Sequence, residues 1–261
     1  MGATVCQHGV TAPDCAFDTN ASICTVNAID EACAVGSSDS LALAARAGVW
    51  RILQRIFGEL PDDSLLAELA CGAAEEVLVV FTGISDEYDV ASSALKDAAV
   101  RHLAAGTEGV NQLRDGYTRM FIGPGKVEAP IWESVYRGND NALFQPITLE
   151  VRQQYATAGF LPAAYPRIAD DHLALELDFL RALAEQAGAA AYAGDQQLYA
   201  VSLTASLEFE QEHLAVWSAD FALNVRAAKH GSFYREATDL LNAWLPLDYA
   251  LLAELRTHTL S

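Results

Sequence analysis

Leu203, Leu207, Glu210, Leu214, Trp217 and Phe221 recur at alternating four- and three-residue steps. A run of that period buries its seam as an α-helix packed against other helices, so it calls for a helical core rather than a sheet. Glu210 is the odd member, an acid where the pattern asks for an apolar side chain. The stretch before it, "DDHLALELDFLRALAE", repeats the period. There Leu173, Leu177, Leu180 and Ala184 form one stripe, His172, Glu176, Phe179 and Leu183 lie on a second face, and Asp170 or Asp171 is placed to cap.

The rest of the chain from about Ser40 reads in the same way. Trp50, Leu53, Ile56 and Phe57 mark a first amphipathic helix behind the cap-type residues of "GSSDS". Pro61, Asp62 and Asp63 open a second, expected to run to Gly83, and a third is expected from about Glu87 to Leu103. A fourth, "VNQLRDGYTRMFIG", leads into a loop. Thr148 is placed to cap "LEVRQQYATAGF", and Gly159 to stop it. Pro162 and Pro166 make the connector near 160–170 stiff, a candidate hinge, and the last stretch is expected to break at Pro246. With no strand pair and no internal repeat, the fold class is all-α: one helical domain over 39–261 behind an irregular N-terminal extension, 1–38.

The extension carries Cys6, Cys15, Cys24 and Cys33 at nine-residue intervals, half a turn out of phase on a helix and without a C-x-x-C pair. That spacing favours incidental thiols over a metal or redox site. With Cys71 the cysteines number five, an odd count that fits poorly with a secreted disulfide framework. No signal-like segment or membrane-length apolar run is visible, and the chain is expected to be cytoplasmic with no stable membrane insertion.

Charge narrows the partners. Thirty-five acidic against 16 basic residues give a formal net charge of -19, which argues against nucleic acid or an anionic membrane and favours cationic partners. No phosphate-loop, dinucleotide, serine-hydrolase or zinc-protease motif is present, and "GPGK" at 123–126 lacks the Ser or Thr and the spacing of a phosphate loop. One metal reading is open. Glu210 and His213 form a Glu-x-x-His pair of the kind that di-iron helical bundles use, and Asp171, His172 and Glu176 offer further ligands, but a second such pair is missing.

The segment "GPGKVEAPIWESVY", residues 123–136, sets prolines and glycines just ahead of Trp132, Glu133 and Tyr136. It reads either as a stiff wall of a groove or as a pair of aromatic plugs for the core. Five blocks in order, "YTRMFIGPGKVEAPIWESVY", "FQPITLEVRQQYATAGF", "DDHLALELDFL", "EFEQEHLAVWSADFA" and "GSFYREATDLL", resemble the cytoplasmic chaperones of the TorD/DmsD/NarJ type over roughly residues 113–245.

That resemblance implies a non-enzymatic redox-enzyme maturation protein. It would bind the apo catalytic subunit of a molybdopterin-dependent oxidoreductase, its twin-arginine leader, or both, and assist cofactor insertion before export. No cofactor of its own is implied beyond weak guanine-nucleotide binding, and the chain would be a monomer or a domain-swapped dimer. The implied client-binding residues are Trp132, Glu133, Ser134 and Tyr136 in the loop, and Asp170, Asp171, His172 and Glu176 at the start of the following helix. Relatives carry Glu-Pro-x-Asp-His there; this chain has Ile168 and Ala169 in place of the Glu and Pro. His213 and Trp217 of "EHLAVW" read as architectural. The alternative is a metal-dependent helical-bundle enzyme.

Overall fold

Trp50, Leu53, Ile56 and Phe57 all face inward from the first helix, α1 (Ser38–Gly58), as their spacing requires. The computed structural model describes residues 38–124, 126–138, 146–162 and 168–258. After α1 come α2 (Asp63–Cys71), α3 (Ala73–Val79), α4 (Asp86–Ala104) and α5 (Gly106–Tyr117), the last passing into a π-helical turn, Thr118–Ile122. The short α6 (Glu133–Arg137) and α7 (Pro146–Thr157) precede α8 (Leu173–Ala193) and α9 (Gln196–Phe209). A second π-helical turn, Glu210–Leu214, joins α9 to α10 (Ala215–Ala227), and α11 (Ser232–His258) follows. Among the described residues there is no strand, and the only bridge of that kind pairs Trp132 with His172. The fold is all-α.

α8 lies at the centre. Both stripes read from its sequence are buried, from Leu173, Leu177, Leu180 and Ala184 to Glu176, Phe179 and Leu183, because α1 and α9 cover it from two sides. α11 closes the bundle against α4 and α10. Among the described residues, no helix is long and apolar enough to cross a membrane.

Four expectations need correction. The helix expected to run from Asp62 to Gly83 is two, because the chain turns at Gly72, where a Cβ would come within 2.9 Å of the Glu68 backbone. α11 does not stop at Pro246. Proline cannot donate to the carbonyl one turn back, yet Leu240, Leu241 and Trp244 before it and Leu247, Leu252 and Leu255 after it bury against the same bundle. That burial outweighs the roughly 3 kcal/mol an interior proline costs. Thr148 sits inside α7 rather than capping it. Neither Asp170 nor Asp171 caps α8; His172 does, its Nδ1 accepting from the Ala174 N–H at 3.1 Å. Gly159 stops α7 as expected, with φ of 73°. The four evenly spaced cysteines and residues 163–167 of the connector lie outside the described residues, and Cys71 is exposed.

Glu210 explains its place in the seam. It is buried and accepts from Arg46 Nη2 at 3.0 Å, while Arg46 Nε reaches Asp248 at 2.7 Å. Two acids share one guanidinium. Burial and the nearby Asp248 charge raise the Glu210 carboxyl well above its ordinary range, and the Arg46 guanidinium only partly offsets them.

Candidate functional site

Gly123, at φ 92°, ends the first π-helical turn and sends the chain back across the bundle. The returning segment is stitched in place by backbone bonds: the Ala129 N–H donates to Met120 O, the Leu173 N–H to Ile131 O and the Glu133 N–H to Asp171 O. Trp132 and His172 are thereby held opposite each other, their rings edge to face at 5.4 Å.

Asp171 joins three elements. Its Oδ2 accepts from the Ser134 N–H and its Oδ1 from the Thr148 hydroxyl, both at 2.9 Å, so it caps α6 from outside and ties α7 to the start of α8. Asp170 next to it takes the Arg152 guanidinium, and its carbonyl accepts from the Tyr155 hydroxyl at 3.0 Å. His172 titrates near 4 rather than 6.5, because burial disfavours its charged form more than the adjacent Asp171 favours it. Neutral imidazole is also the form whose Nδ1 can cap α8.

Behind the loop lies a buried acid pair. Glu133 has no exposed surface; its Oε2 is 2.9 Å from His213 Nδ1 and Oε1 meets Arg137. The Gln154 amide lies 3.1 Å from His213 Nε2, so with the amide donating, the ring proton sits on Nδ1 and goes to Glu133. Glu176 accepts from Trp217 Nε1 at 3.2 Å. Its carboxyl is raised well above the ordinary range, first by burial and then by the Glu133 and Asp171 charges.

Two clefts open on either side of α6. One, of about 710 Å³, is walled by Trp132, Tyr136 and Pro130, with Glu128, Asp220 and Leu223 on its rim. Tyr136 is fixed there, donating to Pro130 O at 2.7 Å and lying 5.2 Å from the Trp217 ring. Burial pushes its phenol up to about 12. The other, of about 810 Å³, is lined by Arg137, Leu149, Glu150, Glu212, His213 and Val216 among others.

The structure thus separates the residues singled out in the sequence. Trp132 and Tyr136 do both jobs considered for them, packing on the core and walling a cleft. Glu133, Ser134, Asp170, Asp171 and Glu176 are buried, the acids engaged with internal partners, and support that wall from behind. Glu210 and His213 part company, the first going to Arg46 and Asp248, the second to Glu133. Among the described residues no three His, Cys, Asp or Glu side chains are grouped to hold a metal ion. Arg46, Arg137, Arg152 and Asp248 escaped the sequence reading, and Thr148 entered it only as a cap, not as a partner of Asp171. An acid in an apolar seam signals a buried partner, but not which of the chain's basic residues supplies it.

The architecture is an all-α bundle whose candidate site is a rigid aromatic wall standing on buried ionic contacts, beside two open clefts. The nitrate reductase delta subunit family matches residues 83–223, more than half of the chain, and the chain belongs to that family, which is of the TorD/NarJ chaperone type. The general role of that family is that of a molybdoenzyme maturation chaperone, acting with a catalytic subunit. A comparison with curated proteins finds no match.

Proposed function

We propose that this protein binds the apo catalytic subunit of a molybdopterin-dependent oxidoreductase in the cytoplasm, through the subunit's twin-arginine leader, and holds it until its cofactor is inserted and export can proceed. The observation that carries this reading is the cleft between Trp132 and Tyr136, where aromatic walls and the exposed Leu223 stand beside the carboxylates of Asp220 and Glu128. A leader offers guanidinium groups and an apolar stretch, which seek carboxylates, ring faces and aliphatic surface together. The wall is already fixed by the Tyr136 bond to Pro130 and by Asp171 behind Ser134, so little freedom is lost on binding. Glu133, Asp171, His172 and Glu176 act here as positioning residues rather than contacts.

The test is affinity purification of the tagged chain from its host under anaerobic growth, with mass spectrometry of what co-purifies. Wild type is expected to recover one molybdenum oxidoreductase catalytic subunit, a nitrate reductase being the first to look for. Trp132→Ala is expected to recover far less, and Tyr192→Ala, an exposed site at the far end of α8, as much as wild type. Equal recovery by the Trp132 variant would remove this cleft from the binding site.

A further inference from the structure

Five buried polar groups, on three elements that the Arg46, Glu210 and Asp248 side chains join, have no partner among the described residues: Arg46 Nη1, Trp50 Nε1, Ser206 Oγ, Glu210 Oε2 and Trp244 Nε1. Arg46 and Trp50 are four apart on α1, Ser206 and Glu210 four apart where α9 enters its π-helical turn, and Trp244 and Asp248 four apart on α11. Residues four apart share a helix face, so each element presents one pair. The pairs meet in two layers. Arg46, Glu210 and Asp248 are joined by bonds of 2.7 to 3.0 Å, and next to them the Trp50 and Trp244 rings pack edge to face at 6.0 Å. All six residues are at most 2% exposed.

The chemistry of the unpaired groups is lopsided. Arg46 Nη1 and the two indoles can only donate, Ser206 can donate or accept, and the carboxyl of Glu210 supplies an acceptor. An unpaired buried donor costs about 1–3 kcal/mol, so several left unmet at one point would weigh heavily against the fold. We propose that this junction is a built site for internal water. A water molecule accepts from two of the three donors and gives its own hydrogens to Glu210 and Ser206, so that one site meets four of the five groups at once. An anion would satisfy the donors, but would face the carboxyls of Glu210 and Asp248, which already share a single guanidinium.

This water has a structural task. It joins α1 and α11, which flank the family-matched region, to Glu210, the first residue of the turn that carries His213 to Glu133. The hydrated junction therefore sets the register of that turn, and through it the position of α6.

The experiment is a crystal structure of the full chain at a resolution that shows ordered solvent, grown once without halide and once in bromide. It is paired with solution NMR of the protein labelled at its tryptophan indole nitrogens. The expected result is a solvent peak within hydrogen-bond distance of Arg46 Nη1 and of at least one of the two indole nitrogens, no anomalous signal in bromide, and water cross-peaks to the Trp50 and Trp244 indole protons. An anomalous bromide peak at that position would overturn the proposal in favour of an anion site. A dry junction whose groups pair with one another, with both indoles silent to water, would overturn it outright.

Discussion

Glu133 Oε2 lies 2.9 Å from His213 Nδ1, joining a five-residue helix to a π-helical turn eighty positions away with both side chains out of solvent. Without Glu133, the His213 N–H loses its acceptor and the Arg137 guanidinium keeps only the Glu212 carbonyl. Breaking such a buried pair from one side costs about 3–5 kcal/mol. Glu133→Ala should therefore lower stability by about that much, while Glu133→Gln, which still offers an oxygen to His213, should lose less. Urea unfolding of the three proteins checks the order, and equal midpoints would refute the coupling.

His172 gives stability a pH dependence of known sign. The unfolded chain takes up this proton near 6.5, the folded chain only near 4, so stability is full above about 6.5 and falls as pH drops toward 4. The shift corresponds to a loss of at most about 3 kcal/mol. His172→Asn keeps a capping side chain and removes the titration. The difference in urea midpoint between wild type and this variant should shift in the variant's favour between pH 7 and pH 4.5; a constant difference would show that the imidazole is not the group responsible.

Glu176 works in the opposite sense. Its folded carboxyl is raised, so the folded chain holds a proton the unfolded chain releases near 4.5, and stability is lost as pH climbs above that value. Glu176→Gln imitates the protonated form, with an amide N–H for Glu133 and an oxygen for Trp217. Its melting temperature should match wild type near pH 4 and exceed it at pH 7 by several degrees, since about 1 kcal/mol moves Tm by about 2–4 °C in a chain of this size. Calorimetry across that range decides, and a variant less stable at pH 7 would mean that Glu176 is ionised there.

How far the sequence reached can be judged from these residues. Periodicity placed the helices and their buried faces, because burying a stripe at a period of 3.6 is a local property of the chain. It also marked Glu210 as anomalous. What it missed was decided at a distance: Arg46 and Glu210 are 164 positions apart, and Arg46 and Asp248 are 202 apart. The site divides along the same line. Trp132 and Tyr136 were legible as wall residues from their stiff loop, whereas the inward turn of Glu133, Asp171 and Glu176 depends on His213, Thr148 and Trp217 reaching them from other helices. Gly72 and Pro246 misled in opposite directions, since one break depends on close backbone approach and the other is overridden by packing on both sides.

Pro246 offers a direct check on that override. It is exposed at the surface of α11, and the helix loses one backbone bond there without stopping. Pro246→Ala restores the donor without touching a packed side chain. Its cost is a more flexible unfolded chain, worth under about 1 kcal/mol, against a larger gain in the helix. The variant should unfold at a higher urea concentration by the equivalent of about 1 kcal/mol, with an unchanged slope, and a destabilised variant would show that the backbone there has adapted to the proline.

The proposed leader-binding cleft makes a prediction in which charge and aromatic surface separate. Asp220 is exposed on the rim, so its contribution is Coulombic and screened by salt, over about 10 Å at 0.1 M. Trp132 contributes ring face and apolar area, which salt does not screen. Affinity of the wild type for a basic leader peptide should weaken as ionic strength rises. Asp220→Asn should flatten that slope and converge with wild type at high salt, while Trp132→Ala should lower affinity about tenfold at every salt concentration with the slope retained. Calorimetric titration of the three proteins at several salt concentrations gives the answer. A wild-type affinity indifferent to salt would leave the acidic rim without a role in binding, whatever the tryptophan does.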